Sequence, residues 1–296
     1  RIESFDMKGL IIKNQNGYFT IAGAEGATAL ARSRGRTKRK GSILVGDWVE
    51  YEQTKDSAPS IVSVYPRINE LHRPPIANIN QLVLTVAAEN PDPSLFMIDK
   101  MLVLAEYSRI PGILLCINKA DLNPEYAEKL QTLYEKAGYP CIAVSAIQEK
   151  GISQLKEALS GPVISFSGPS GVGKSTLLNH ILGREQFAHQ AVSQHTGRGR
   201  NTTRHSELVR LMDSLYVMDT PGYTSLDLDS QVEDGLDYLF RDFRPYLGQC
   251  RFNNCRHLKE PGCAVSRAVD EGCIAQSRYV SYVSILNEIK NRIIRY

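Results

Sequence analysis

The chain has 296 residues, of which 42% are apolar and 23% charged. That length suits two or three domains, and the composition builds packed cores rather than a disordered chain. The apolar runs, residues 113–117 among the longest, fall far short of a membrane span, and residues 1–6 mix charges where an export signal needs an apolar stretch, so a membrane protein is excluded and a cytoplasmic one expected.

The net charge of +3 conceals an asymmetry. Residues 1–69 carry 11 basic and 7 acidic side chains, net +4; residues 70–240 carry 14 and 20, net −6; residues 241–296 carry 10 and 5, net +5. Two basic ends around an acidic middle suit a polyanion that bridges them.

Residues 1–69 read as short strands at 9–13, 17–21, 47–51 and 60–64, separated by turns and free of helical period. A small barrel of the OB type is the economical solution, because closure removes the edges of so short a sheet. Val45-Gly46-Asp47-Trp48-Val49 fits the turn that opens a strand in such barrels. Arg32, Arg34, Arg36, Lys38, Arg39 and Lys40 then fall on a barrel loop, six cations within nine residues with no acid among them. A solvated loop and a nucleic-acid contact both account for that run.

Arg73-Pro74-Pro75 is expected to be a linker, since neither proline continues a helix or a central strand. Beyond it strands are expected at 81–87, 113–117, 141–144, 163–167, 207–212 and 215–218, alternating with helices at 94–107, 125–137 and 175–181. Ser94 is placed to cap the first helix, whose apolar spacing runs through Leu95, Ile98, Leu102 and Ala105. This alternation builds a mostly parallel sheet covered on both faces. Towards the C-terminus, Leu236, Leu239, Phe240 and Phe243 recur at helical spacing. So do Tyr279, Tyr282, Val283, Leu286, Ile289 and Ile293, which gives two helices with one apolar stripe each.

Gly168-Pro169-Ser170-Gly171-Val172-Gly173-Lys174-Ser175 fits G-x-x-x-x-G-K-[ST], with an apolar strand before it and a helix after. The glycines let backbone N–H groups turn onto a phosphate chain, and the helix N-terminus adds a positive dipole end. Lys174 reaches the terminal phosphates, the Ser175 hydroxyl suits Mg²⁺, and Thr176 joins the expected nucleotide-binding set. Asn118-Lys119-Ala120-Asp121 selects the base. Asp121 can accept from both the ring N–H and the exocyclic amine of guanine, a donor pair that adenine lacks. Asn118 can brace the loop, the Lys119 stem can lie along the base plane, and Ser145-Ala146 can support the guanine oxygen. Asp219-Thr220-Pro221-Gly222 ends the 215–218 strand: Asp219 can hold Mg²⁺ through water, and the Gly222 N–H can sense a γ-phosphate. Thr202 or Thr203 can close onto the metal when GTP is present.

Of six cysteines, Cys116 and Cys141 sit in apolar runs and read as core. Cys250, Cys255, Cys263 and Cys273 crowd a short window with a histidine among them, which points to metal rather than disulfides.

A typical GTPase runs from the phosphate loop through the switches to the base-recognition motifs. Here residues 118–121 and 145–146 come first, then 168–175, 202–203 and 219–222. Because such a pocket is assembled from the ends of parallel strands, permuting the chain need not disturb it. In this order the chain resembles the circularly permuted GTPases of small-ribosomal-subunit assembly, the RsgA family, also called YjeQ or YloQ. The likeness covers nearly the whole length, including Cys250-x4-Cys255-x-His257-x5-Cys263 and two segments similar to the family's switches, residues 197–205 and 219–223. It implies an α/β multidomain protein with an OB-type RNA-binding barrel at 1–69, a circularly permuted P-loop GTPase at 70–226 and a helical zinc-binding domain at 227–296. It implies a late assembly factor that binds the small ribosomal subunit and its rRNA, hydrolyses GTP to GDP slowly, is accelerated by that subunit and helps release another assembly factor. A monomer is expected.

Cys250, Cys255, His257 and Cys263 then supply the four ligands of a structural Zn²⁺, with Cys273 a rival for His257. The expected catalytic set is Lys174, Thr203, Gly222 and His205. Family members often carry histidine immediately before the paired threonines, whereas this chain has Asn201, which can orient a water but cannot take its proton; His205 is the nearby substitute. Tyr223 stands where Ras-like enzymes place a water-orienting glutamine, so weak intrinsic turnover is expected. Two other classes remain: an RNA-binding module gated by nucleotide, and a P-loop kinase or ATPase, against which residues 118–121 argue.

Overall fold

The computed structural model describes residues 5–15, 17–33, 42–54, 57–72, 75–183, 207–212, 214–219, 232–258 and 260–293. Strands β1 (Phe5–Gln15), β2 (Tyr18–Ala22), β3 (Thr28–Ser33), β4 (Trp48–Thr54) and β5 (Ser57–Val64) close into a barrel in the order β1-β2-β3-β5-β4. All neighbours are antiparallel except β3 and β5, the arrangement of an OB-type barrel. Ile11, Phe19, Ile21, Ala31, Val49, Tyr51 and Ile61 fill its interior. Four of these strands match the sequence expectation, β1, β4 and β5 with longer bounds and β2 shifted by one residue. The fifth, β3, was not expected, because Ala31 is its one fully buried side chain and no apolar alternation marks it. Arg32 therefore lies in a strand and not on a loop, its guanidinium 4.3 Å from the Tyr18 ring centroid. Residues 34–40, with the other five cations of that run, lie outside the described residues.

Of the segment expected as a linker, Pro75 opens strand β7 (Pro75–Ala77), which pairs antiparallel with β6 (Glu70–His72), while Arg73 and Pro74 lie outside the described residues. Leu71 and Ile76 are buried in the main core, and a proline at the first residue of so short a strand loses no ladder bond that it needs.

Strands β8 (Gln81–Ala87), β9 (Gly112–Asn118), β10 (Cys141–Ala143), β11 (Val163–Ser167), β12 (Val209–Met212) and β13 (Leu215–Asp219) form one sheet in the order β10-β9-β8-β11-β13-β12. Every pair is parallel except the edge pair β12–β13. Side chains alternate across it: Leu82, Leu84, Ile113, Leu115 and Ile117 pack with α1 (Leu95–Tyr107) and α2 (Pro124–Lys136). Val83, Leu114, Cys116, Ile164 and Phe166 pack on the opposite face with α3 (Ile152–Ala158) and α4 (Lys174–Leu182). Ser94 caps α1 as expected, its Oγ accepting from the Met97 amide at 3.4 Å.

The C-terminal region adds α5 (Ala264–Asp270) and α6 (Gln276–Ile293), α6 lying against α1 in the same core. The helix expected through Leu236 and Phe243 is instead two 3-10 segments, Asp237–Leu239 and Arg241–Tyr246. Gly235 and Gly248, both at positive φ, bound the stretch, and Pro245 removes a donor that a longer helix needs. Among the described residues no helix is long and apolar enough to cross a membrane.

Candidate nucleotide site and metal centre

Strands β8, β9, β10, β11 and β13 run parallel, so their carboxyl ends, and the loops that follow the first four of them, lie at one end of the sheet. Residues 168–173 join β11 to α4. Gly168 has φ +146°, and a Cβ there would stand 1.9 Å from the Thr85 carbonyl oxygen on β8. Gly173 has φ +89°, and a Cβ there would stand 2.4 Å from Nδ2 of Asn118. Both positions require glycine, so the loop lies close against the ends of β8 and β9 at the start of α4.

Asn118, at the end of β9 and almost fully buried, joins three of the expected pieces. Its Nδ2 donates to the Val172 carbonyl at 2.8 Å in the phosphate loop, and its Oδ1 accepts from the Ala146 amide at 3.2 Å beyond β10. Ser145 is held by paired backbone bonds with Lys150, 3.0 and 3.1 Å, and its Oγ accepts from the Gln148 amide at 3.2 Å. Lys119 has φ +58°, and its ammonium donates to the Asn90 carbonyl, a contact that sequence reasoning missed. Asp121 stands on the turn closed by the Leu122 amide on the Lys119 carbonyl at 3.0 Å.

Lys174 is buried, and its Nζ donates to the carbonyls of Gly168 and Pro169, both at 2.9 Å, so the ammonium is held inside the loop it belongs to. The backbone of Asp219, the last residue of β13, pairs beside Phe166, two residues ahead of Gly168. The expected residues Asn201, Thr202, Thr203, His205, Gly222 and Tyr223 lie outside the described residues.

The second cluster is Cys250, Cys255, His257 and Cys263, whose donor atoms all lie within 4.8 Å of one another. Cys250 Sγ and Cys263 Sγ stand 3.6 and 3.4 Å from His257 Nδ1, and 4.0 Å from each other. Around a tetrahedral Zn²⁺ with bonds of about 2.3 Å to sulfur and about 2.0 Å to nitrogen, donor atoms lie about 3.5–3.8 Å apart, so the cluster fits such an ion. The Ala264 amide donates to Cys250 Sγ at 3.3 Å and the Ser266 amide to Cys263 Sγ at 3.4 Å. Burial pushes the Cys263 thiol up, but Ser266 and His257 outweigh it and bring it to about 7. Cys273, the rival ligand, is exposed and outside the cluster. Cys116 and Cys141 are buried, and burial pushes both thiols up to about 12, as inert core residues should be.

Asp237 completes the centre from outside, its Oδ2 lying 3.2 Å from His257 Nε2. A carboxylate on the far nitrogen fixes the tautomer that leaves Nδ1 to the metal. Twenty residues of chain separate the two, and no local spacing marks the pair.

A family description, RsgA GTPase, matches residues 64–229, and a second, RsgA N-terminal domain, matches residues 8–61. The chain belongs to the RsgA GTPase family. It is 39% identical over 288 residues to the small ribosomal subunit biogenesis GTPase RsgA of Caldanaerobacter subterraneus subsp. tengcongensis, covering 97% of both chains. To the protein of that name from Clostridium botulinum it is 38% identical over 290 residues, 97% of this chain and 98% of the other. Two crystal structures are similar to the chain: YloQ, described as a circularly permuted GTPase, at a TM-score of 0.81 and 32% identity over 97% of this chain and 96% of the other, and YjeQ from Thermotoga maritima at 0.83 and 34% over 96% and 99%. As an RsgA-family enzyme the chain hydrolyses GTP, with the permuted order expected from its motifs. A GTPase of this kind uses Mg²⁺ with its nucleotide, and the Cys₃His cluster is compatible with zinc.

Proposed function

We propose that this GTPase acts late in assembly of the small ribosomal subunit, binding the subunit and its rRNA in the GTP state and letting go after hydrolysis. The names of the relatives that span the chain support the ribosomal assignment. The single observation that carries the nucleotide reading is Asn118, which ties the phosphate loop to the Ser145-Ala146 turn from the end of a third strand. In this reading Lys174 and the amides of residues 168–176 take the phosphates, Asp121 reads the guanine edge, Lys119 covers its plane and Ala146 supports its oxygen. Ser175 would hold Mg²⁺ directly and Asp219 through water; that ion supplies neutralising charge between phosphate oxygens. Thr203 and the Gly222 amide sense the γ-phosphate, and His205 or Asn201 orients the attacking water.

Residues 1–69 form the RNA-binding barrel, 70–226 the GTPase unit and 227–296 the zinc unit, with one structural Zn²⁺ on Cys250, Cys255, His257 and Cys263. Four protein ligands leave such an ion no open position for chemistry. The protein works as a cytoplasmic monomer, and its departure after hydrolysis helps release another assembly factor. Purified small subunits should raise the GTPase rate and free large subunits should not. Equal stimulation by both would overturn the partner assignment.

A further inference from the structure

In the permuted chain the segment after Asp219 is the covalent route from the nucleotide loops to the C-terminal unit. A second, non-covalent route runs through α1. At its pocket end, the loop from β8 to α1 is stitched to the base-recognition turn. The Ala88 amide donates to the Asn118 carbonyl at 2.8 Å, Asn123 Nδ2 donates to the Glu89 carboxylate at 3.3 Å, and the Asn90 carbonyl accepts the Lys119 ammonium. Pro91 lies 3.8 Å from where a Cβ of Gly171 would stand.

The helix begins four residues later, and its outer face is gripped by the C-terminal unit. Asp99, fully buried, accepts on Oδ1 from Arg278 Nη1 at 2.7 Å and from the Tyr134 hydroxyl at 3.0 Å. Arg278 is itself 1% exposed, forks onto Asp242 at 3.1 and 2.7 Å, and lies 4.6 Å from the Phe240 ring centroid. Lys100 pairs with Glu288 at 2.5 Å, and Glu106 takes Arg241 and Arg244 at 2.5 and 2.8 Å. α1 cannot slide under α6 without leaving a buried carboxylate alone, so the contact has a defined register and not a continuum of positions.

We propose that Arg278 is a positioning residue for the guanine site. By fixing α1 through Asp99 it holds residues 88–91 against Lys119 and Asn123, and so pre-forms the turn that binds the base. The inference rests on the reading of residues 118–121 as the guanine-recognition turn. Coupling is reciprocal: GDP binding must also make the α1–α6 contact harder to open.

The test uses the full chain. Arg278→Met keeps the volume and removes the fork, a triple variant (Asp99→Asn, Asp242→Asn, Arg278→Met) removes the stranded charges as well, and Asp121→Ala probes the base site itself. With a fluorescent GDP analogue, Arg278→Met is expected to weaken binding by about 5- to 100-fold, the range of ordinary coupling between sites. KM for GTP should rise while kcat holds, and the triple variant, which lacks the stranded charges but also the clamp, should stay weak; recovery of the parent affinity would trace the loss to stranded charge and overturn the proposal. In the unaltered chain GDP should slow amide exchange within Gln276–Ile293. If Asp121→Ala weakens GDP binding but a folded Arg278→Met stays within about twofold of the parent, a smaller effect than coupling gives, the proposal is overturned. Should Arg278→Met fail to fold, exchange in the unaltered chain decides, and no protection of α6 by GDP overturns it. If Asp121→Ala leaves binding unchanged, the base-site reading falls first and takes the proposal with it.

Discussion

Asn118 is the most informative residue to perturb, because it touches neither end of the chain's motifs alone but joins two of them. Replacing it with alanine removes the 2.8 Å bond to Val172 and the 3.2 Å bond from Ala146. Two buried neutral hydrogen bonds are worth roughly 1–3 kcal/mol net, and groups left without partners cost about 1–3 kcal/mol more. If the brace serves to pre-form the pocket, most of this loss falls on binding. GDP affinity should then drop by about 30- to several-thousand-fold, at 1.4 kcal/mol for each factor of ten. Asn118→Asp separates the two arms: it keeps the acceptor for the Ala146 amide and sets a carboxylate oxygen against the Val172 carbonyl. It should be nearly as damaging as alanine. Equilibrium titration with a fluorescent GDP analogue measures the affinity, and far-UV circular dichroism confirms the fold. A folded Asn118→Ala protein that binds GDP within twofold of the parent would refute the reasoning.

Asp121→Asn exchanges an acceptor for an amide and should shift preference from guanine to xanthine nucleotides by tenfold or more, about 1.4 kcal/mol, in competition against labelled GDP; an unchanged preference would remove Asp121 from base recognition. Asp237→Asn keeps the shape beside His257 but loses the carboxylate, and should weaken zinc affinity about 10- to 100-fold, read by competition with a chromogenic chelator. Metal retention should also depend on pH. Without metal the Cys263 thiol is held down at about 7, while Cys255 is pushed up to about 12 and His257 to about 9, so protons compete with Zn²⁺ for these ligands more strongly as pH falls. Chelator-driven zinc release should therefore accelerate from pH 8 to 6, and a flat profile would contradict the ligand assignment.

Much of the site was legible because its chemistry is local. Gly168 and Gly173 are required by contacts that an alanine methyl would violate, and the four metal ligands fall within fourteen residues of chain. What the sequence concealed is non-local. Strand β3 buries Ala31 alone, so its pairing with β2 and β5 rather than its own pattern makes it a strand. Asp237 acquires its meaning from His257 across a fold, and Asn90 from a carbonyl that any residue would offer. The apolar spacing at Leu236, Leu239, Phe240 and Phe243 is real, since Leu236, Phe240 and Phe243 are buried. That spacing still does not make an α-helix, because Gly235, Pro245 and Gly248 break the backbone.

The most direct measurement is a crystal structure of the protein soaked with GDP and Mg²⁺. The diphosphate should lie along the amides of residues 170–175 with Lys174 Nζ turned from Gly168 and Pro169 onto a phosphate oxygen, and the purine edge should meet Asp121. Density for the diphosphate away from Lys174, or a purine ring remote from Asp121, would contradict a single cavity built from reordered loops.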